Sequence, residues 1–179
     1  MLHRLDSPTS GILLMAKDPF VSKVIKDCFA KGKVKKTYQA IVSGFPKPPR
    51  GIWKDSIKKC KKDSFVRSSL TSDSSNNAIC QYQVIDQIKK NRVLTNLELK
   101  PKTGRTHQLR VQCAIHGFPI LGDRTYGNFS VNRWAKETFK NNRLFLHSQK
   151  IEFDLKHRRK IHYFYAESQL PESFALLNS

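Results

Sequence analysis

The run His3-Arg4-Leu5-Asp6-Ser7-Pro8-Thr9-Ser10-Gly11 decides how this chain is read. It is charged and rich in turn formers, and it leads directly into the apolar segment Ile12-Leu13-Leu14-Met15-Ala16. Asp6 is a lone carboxylate, with the guanidinium of Arg4 before it and hydroxyls and a glycine after it. Taken bare, the pattern is a solvated loop in which Asp6 or Ser7 caps a turn. The apolar segment that follows reads as a buried strand over residues 12–17.

Working outward, Asp18-Pro19 has the form of a helix start, with Asp18 as N-cap and Pro19 at N1. Phe20, Val21, Val24, Ile25, Cys28 and Phe29 keep helical period, and Gly32 ends the helix. Lys36 to Val42 alternates as a strand, with Tyr38, Ala40 and Val42 on one face. Gly44 and the prolines Pro46, Pro48 and Pro49 break it. Residues 47–77 are the least regular region, ending in a polar connection over 68–77. Strands are expected near 78–86 and 92–99, turning at Lys89-Lys90-Asn91, with Val93, Thr95, Leu97 and Leu99 on a common face. A helix is expected over 106–116, closed by Gly117. A strand pair over 144–153 and 161–166 is joined by Lys156-His157-Arg158-Arg159-Lys160, and a short helix closes the chain within 171–177. Strands of mixed length with few helices predict an α+β fold, a mixed and mostly antiparallel sheet with flanking helices. The length suits one domain over residues 1–179, with no repeat and no linker.

The charge balance bears on partners. Lys and Arg number 33 against 14 Asp and Glu, a net charge of +19. Between Lys47 and Arg67 there are eight basic and two acidic residues. A polyanion is the expected partner, and nothing here implies a protein partner or more than a monomer. No apolar stretch approaches membrane-spanning length, and no signal peptide is visible at the N-terminus, so a cytoplasmic protein is expected. Cys28, Cys60, Cys80 and Cys113 are widely and irregularly spaced, which argues against a zinc site, and Cys28 and Cys113 read as small core residues. His157 and His162 face solvent or a polyanion, so no metal is expected.

The second informative run is Thr103-Gly104-Arg105-Thr106-His107-Gln108-Leu109-Arg110-Val111 at a strand-to-helix junction. By itself it is a turn at Gly104, a cap at Thr106, and two solvating arginines. Together with the opening run it resembles the RluA-type pseudouridine synthases, which isomerise uridine to pseudouridine in RNA. The following stretch, Gly117-Phe118-Pro119-Ile120-Leu121-Gly122-Asp123-Arg124-Thr125-Tyr126-Gly127, also resembles that family, as does Lys36-Thr37-Tyr38. The resemblance implies that Asp6 is the nucleophile, that Arg105 pairs with it, and that Tyr38 packs against the target base. It implies RNA contacts for Arg4, Lys36, His107 and Arg110, a structured rRNA or tRNA as substrate, and no cofactor. Asp123 reads as a turn residue after Gly122. The chemistry suits these residue types: a carboxylate can form the covalent intermediate, an arginine can orient it, and a flipped-out base needs an aromatic wall.

The chain departs from that family at its start. The family's catalytic domain usually has a preceding segment that includes a sheet strand, and only five residues stand before Asp6 here. A late-assigned start, a gene fragment and a minimal domain are the alternatives. The competing function is a catalytically inactive basic RNA-binding protein derived from the same fold.

Overall fold

The computed structural model describes residues 2–62, 65–72, 77–89, 91–158 and 160–175. Its sheet begins with β1 (Ser10–Gly11), which pairs parallel to β7 (Leu146–His157) through Ser10 opposite His147 and Gly11 opposite Ser148. Gly11 is required there: its φ is +109°, and a Cβ would lie 2.2 Å from the Ser148 carbonyl oxygen. The strand expected over 12–17 does not form. Ile12 N–H donates to the Ser148 carbonyl and the Leu14 carbonyl accepts from Leu2, after which the segment pairs no further. Ile12, Leu14 and Ala16 pack inward while Leu13 and Met15 are exposed, so the segment is half-buried, not buried.

Helix α1 (Pro19–Ala30) starts as read, with the Asp18 carboxylate accepting from Val21 N–H at 2.8 Å. Ile25 and Cys28 are buried against Ile151 and Phe153 of β7, but Phe20 is exposed beside His157. Strand β2 (Lys35–Ser43) runs between β7 and β6 (Val93–Pro101), antiparallel to both. Its register against β7 shifts between Thr37 and Tyr38, where Gln149 of β7 is passed over. In β6, Thr95, Leu97 and Leu99 are buried as expected, whereas Val93 is exposed; Leu94, on the other face, is also buried.

The region expected to be irregular is a long hairpin. Strand β3 (Arg50–Lys62) pairs β5 (Asn77–Lys89) over Arg50 to Ser56, then changes partner to β4 (Phe65–Leu70) over Ile57 to Lys62. Its buried residues Trp53 and Ile57 are four apart, and exposed Ile52 on the other face and Lys59 on their own face obscure the alternation. The expected turn at Lys89-Lys90-Asn91 includes Lys90, which lies outside the described residues. Strand β5 continues antiparallel to β6, and β8 (Lys160–Glu167) pairs antiparallel to β7. The order is β1-β7-β2-β6-β5-β3-β4, with β8 off this path on β7. One described pair is parallel and the rest are antiparallel, as expected.

Helix α2 (Gln108–Ile115) lays Leu109 and Cys113 on the core formed by Ala40, Val42, Leu97 and Leu99. Thr106 does not cap it; the N-cap is His107, in left-handed conformation at φ 54° and without a side-chain cap. Helix α3 (Phe129–Phe139) was not foreseen. Its buried stripe is only Val131 and Ala135, and the Asn128 side chain caps it by accepting from Val131 N–H at 3.1 Å. Helix α4 (Glu172–Ala175) closes the described chain and buries Phe174 against Phe145. Among the described residues no helix is long and apolar enough to cross a membrane.

Candidate active site

The two informative runs of the sequence meet. A cavity of about 260 Å³ is lined by His3, Arg4, Asp6 and Thr9 from the first, by Gly104 to Arg110 from the second, and by Lys36 and Tyr38 from β2. The first run arrives through β1 at the end of the sheet order, and the second through the β6–α2 loop. All seven residues singled out from the sequence line this cavity.

The Asp6 carboxylate is mostly buried, and its backbone carbonyl accepts from Thr9 N–H at 2.8 Å to close the turn. His3 braces the loop: its Nε2 accepts from Leu14 N–H at 3.0 Å and its ring stacks on Phe29. Behind the loop, the Ser10 hydroxyl contacts His147 Nδ1 at 2.8 Å and accepts from Arg143.

The guanidinium that faces Asp6 is that of Arg110, not the expected Arg105. Arg110 Nη1 lies 3.5 Å from Asp6 Oδ2. Arg105 is exposed on the same cavity wall, with Nε donating to the Asn77 carbonyl at 3.2 Å. Arg110 is buried and is held by a second carboxylate: Nε donates to Asp123 Oδ2 at 2.7 Å and Nη2 to Asp123 Oδ1 at 2.8 Å. Burial alone would weaken the charge of Arg110, but the hydrogen bonds and charge of Asp123, then the charge of Asp6, outweigh it and raise its pKa. Burial likewise works against ionised Asp123, yet the bonds from Arg110 and from Tyr126 and Thr125 N–H hold its carboxyl below the ordinary value. Asp123 is therefore more than the turn residue expected.

His107 stands beside this pair, with Nε2 4.0 Å from Asp6 Oδ1 and Nδ1 2.9 Å from the Tyr126 hydroxyl. The Tyr126 oxygen accepts from Ser68 N–H at 2.8 Å, which leaves its own proton to donate to Nδ1. With that assignment His107 carries its proton on Nε2, toward Asp6. Desolvation lowers the pKa of His107 and the Arg110 charge adds to this, while the Asp6 charge opposes it. A left-handed histidine beside the two carboxylates is backbone strain stored at the site.

Tyr38 forms one wall of the cavity. Burial pushes its phenol up, the Asp6 charge adds to this, and a bond with Ser148 opposes it. Lys36 Nζ donates to the Thr103 carbonyl at 3.3 Å, and burial pulls its pKa down. Arg4 is exposed at the rim.

A buried amide relay fixes the loop that carries Arg105 and His107. Gln108 Oε1 accepts from Arg105 N–H at 3.0 Å and from the Thr103 hydroxyl at 2.7 Å. Gln108 Nε2 donates to Gln112, whose own Nε2 donates to Asp55 on β3 at 2.7 Å. The β3–β4 hairpin is tied to the same loop by the Ser68 hydroxyl, which donates to the Thr106 carbonyl at 2.8 Å. The basic hairpin thus abuts the cavity. The 156–160 turn lies elsewhere: His157 and Arg158 line a separate hollow with Asp18, Phe20 and Val21. Sequence reasoning missed Asp123, Tyr126 and the Gln108–Gln112 relay as parts of the site. Buried Cys80 and Cys113 are no nucleophiles here, since burial pushes the Cys80 thiol up to about 12 and Cys113 well above its ordinary value. Among the described residues no group of His, Cys, Asp and Glu is placed to hold a metal ion.

The fold and cavity define an α+β protein with a carboxylate–guanidinium pair in a basic cleft, and comparison with known proteins narrows the class. The RNA pseudouridylate synthase family model matches residues 1–115, and the chain belongs to that family, as an RluA-type member. It is 36% identical over 166 residues to a Rickettsia typhi protein named ribosomal large subunit pseudouridine synthase C, covering 92% of this chain and 54% of the relative. It is 32% identical to an RNA pseudouridine synthase of Zymomonas mobilis, covering 97% of this chain and 74% of that one. A Vibrio cholerae tRNA pseudouridine synthase C is 34% identical, with 85% and 65% covered. The chain spans about half the length of several curated relatives it matches. Human RNA pseudouridylate synthase domain containing 1 has the same fold, with TM-score 0.77 and 24% identity, covering 98% of this chain and 71% of that one.

Proposed function

We propose that this chain is an RNA pseudouridine synthase that converts uridines of rRNA or tRNA, acting as a single catalytic domain over residues 1–179. The observation that carries the reading is the meeting of Asp6, Arg110 and Tyr38 in one cavity, drawn from motifs far apart in the chain. In this reading Asp6 is the nucleophile, and Arg110 aims it. Tyr38 offers a flat wall to a uracil taken out of its stack. Arg4 and Lys36 meet the RNA backbone at the rim, and His107 and Arg105 line the wall through which the nucleotide enters. The names of the relatives support rRNA and tRNA as the substrate classes.

The net reaction breaks the N1–C1′ bond, joins C1′ to C5 of the same uracil, and moves the C5 proton to solvent while N1 takes one up. It is redox-neutral, so neither electron carrier nor cofactor is required. No hydrolytic water has to be activated, in keeping with Asp6 as the one carboxylate lining the cavity among the described residues and Asp123 engaged with Arg110 outside that lining. We place the protein in the cytoplasm as a monomer, with RNA as its partner.

The test is carbodiimide mapping of pseudouridine in ribosomal and transfer RNA incubated with wild type or with Asp6→Asn. The expected result is new pseudouridine with wild type only, while RNA affinity is equal for both because it rests on many phosphate contacts. Turnover by Asp6→Asn near the wild-type rate would remove Asp6 as the nucleophile. RNA binding without any conversion by wild type would leave a binding protein.

A further inference from the structure

We propose that Asp123 is a positioning residue of the isomerisation: it occupies two of the three nitrogens of Arg110 so that the third is presented to Asp6. The inference rests on the reading of Asp6 as the nucleophile. Nε and Nη2 of Arg110 form one edge of the guanidinium, and both are taken by Asp123 at 2.7 and 2.8 Å. Nη1, the nitrogen that Asp123 leaves wholly free, lies 3.5 Å from Asp6 Oδ2. A guanidinium free of Asp123 would lose the bonds that fix its plane, and nothing would then hold Nη1 toward Asp6. The clamp thus holds Arg110 to a contact with Asp6 through Nη1. The Tyr126 ring, 5.1 Å from the Arg110 guanidinium carbon, closes the guanidinium's flank.

Asp123 also serves its own turn, and the two roles share Oδ1, which accepts from Arg110 Nη2 as well, and part at Oδ2. Thr125 and Tyr126 N–H both donate to Oδ1, at 2.8 and 3.0 Å, whereas Oδ2 serves Arg110 Nε. In Asp123→Asn the side-chain carbonyl can keep the Oδ1 bonds, but its amide opposes Arg110 Nε–H donor to donor. A control loosens the same turn without touching the guanidinium: Asn132 accepts from Gly122 N–H at 2.8 Å and donates to the Asp123 carbonyl at 2.9 Å.

The experiment compares Asp123→Asn, Asp123→Glu and Asn132→Ala with wild type. Turnover is read as tritium released from C5-labelled uridine in an RNA the wild type converts, alongside RNA affinity and melting temperature. Asp123→Asn is expected to lose turnover by roughly 10- to 100-fold with RNA affinity kept. Asn132→Ala is expected to melt earlier yet turn over at the wild-type rate. Should Asp123→Asn fail to fold, Asp123→Glu keeps the charge, shifts the guanidinium, and must lose turnover at unchanged affinity. A second readout is independent of activity: exchange of the Arg110 Nε proton, assigned by its absence in Arg110→Lys. It is expected to be slow in wild type and Asn132→Ala and fast in Asp123→Asn. Turnover losses in Asp123→Asn no greater than in Asn132→Ala, or a protected Nε proton in Asp123→Asn, would overturn the proposal. If the wild type converts no RNA, the proposed function falls, and the exchange measurement still decides whether Asp123 sets the geometry of Arg110.

Discussion

Replacing Arg110 with alanine separates the two arginines of the second run by their effect on stability. Arg110 and Asp123 are 5% and 2% exposed and share two short bonds, so truncating the arginine leaves a carboxylate buried and uncompensated. Breaking a buried pair from one side costs about 3–5 kcal/mol, a large part of the ~5–15 kcal/mol that holds a typical domain. For a chain of this size that lowers the melting temperature by roughly 6–20 °C. Arg105→Ala removes an exposed side chain and is expected to cost less than about 1 kcal/mol. The difference has a definite pH dependence. The folded-state pKa of Asp123 is depressed below its ordinary 3.8, so the pair stabilises the fold fully above that value. The contribution is lost as pH falls through the depressed value, and the gap between wild type and Arg110→Ala closes there. Urea unfolding of the three proteins, at neutral and acid pH, measures it. Equal costs for the two arginines at neutral pH, or a gap that widens in acid, would refute the reasoning.

Other outcomes follow from the same structure. Gly11→Ala should separate β1 from β7, because its Cβ would sit 2.2 Å from a backbone oxygen that cannot yield; limited proteolysis should then cut near residues 7–12. Charge reversal of the exposed Lys58 and Lys59 on β3 should weaken RNA binding and reduce the steepness of its salt dependence by about one for each phosphate no longer neutralised; unchanged titrations across salt would place the RNA elsewhere. Gln112→Ala should strip one bond each from Gln108, Asp55 and the Ala78 carbonyl, leaving Gln108 on Ile79 and Asp55 on His116, and cost roughly 1–3 kcal/mol in chemical denaturation, with wild-type stability arguing that the relay is idle.

Where local chemistry decides the structure, the sequence could be read. Asp18-Pro19 starts α1, alternation marks β2, and the two polar runs form the cavity walls. The β3–β4 hairpin was missed because its buried residues, Trp53 and Ile57, are spaced widely among lysines, and a strand that changes partner midway has no single inward face over its length. Arg105 and Arg110 lie on opposite sides of one backbone torsion. The left-handed His107 ends the loop and begins α2 at Gln108, leaving Arg105 exposed on the loop and Arg110 buried in the helix's first turn. No spacing rule reveals that torsion. Asp123 looked like turn punctuation because its bond to Thr125 N–H is local, while its partner is 13 residues away on another element.

The pairing of β1 with β7 has a bearing on how the molecule is made. Ser10 and His147 are 137 residues apart, so the segment bearing Asp6 leaves the ribosome long before the strand that receives it has been synthesised. The hairpins β3–β4, β5–β6 and β7–β8 join neighbours in sequence and close early, whereas β1 must await a partner at nearly maximal separation. The Asp6 segment and the Tyr38 strand thus both depend on a strand made late, since β7 pairs with β1 and with β2. A nascent or truncated chain that stops before Leu146 holds every residue of the cavity's two polar walls and lacks the strand on which β1 docks.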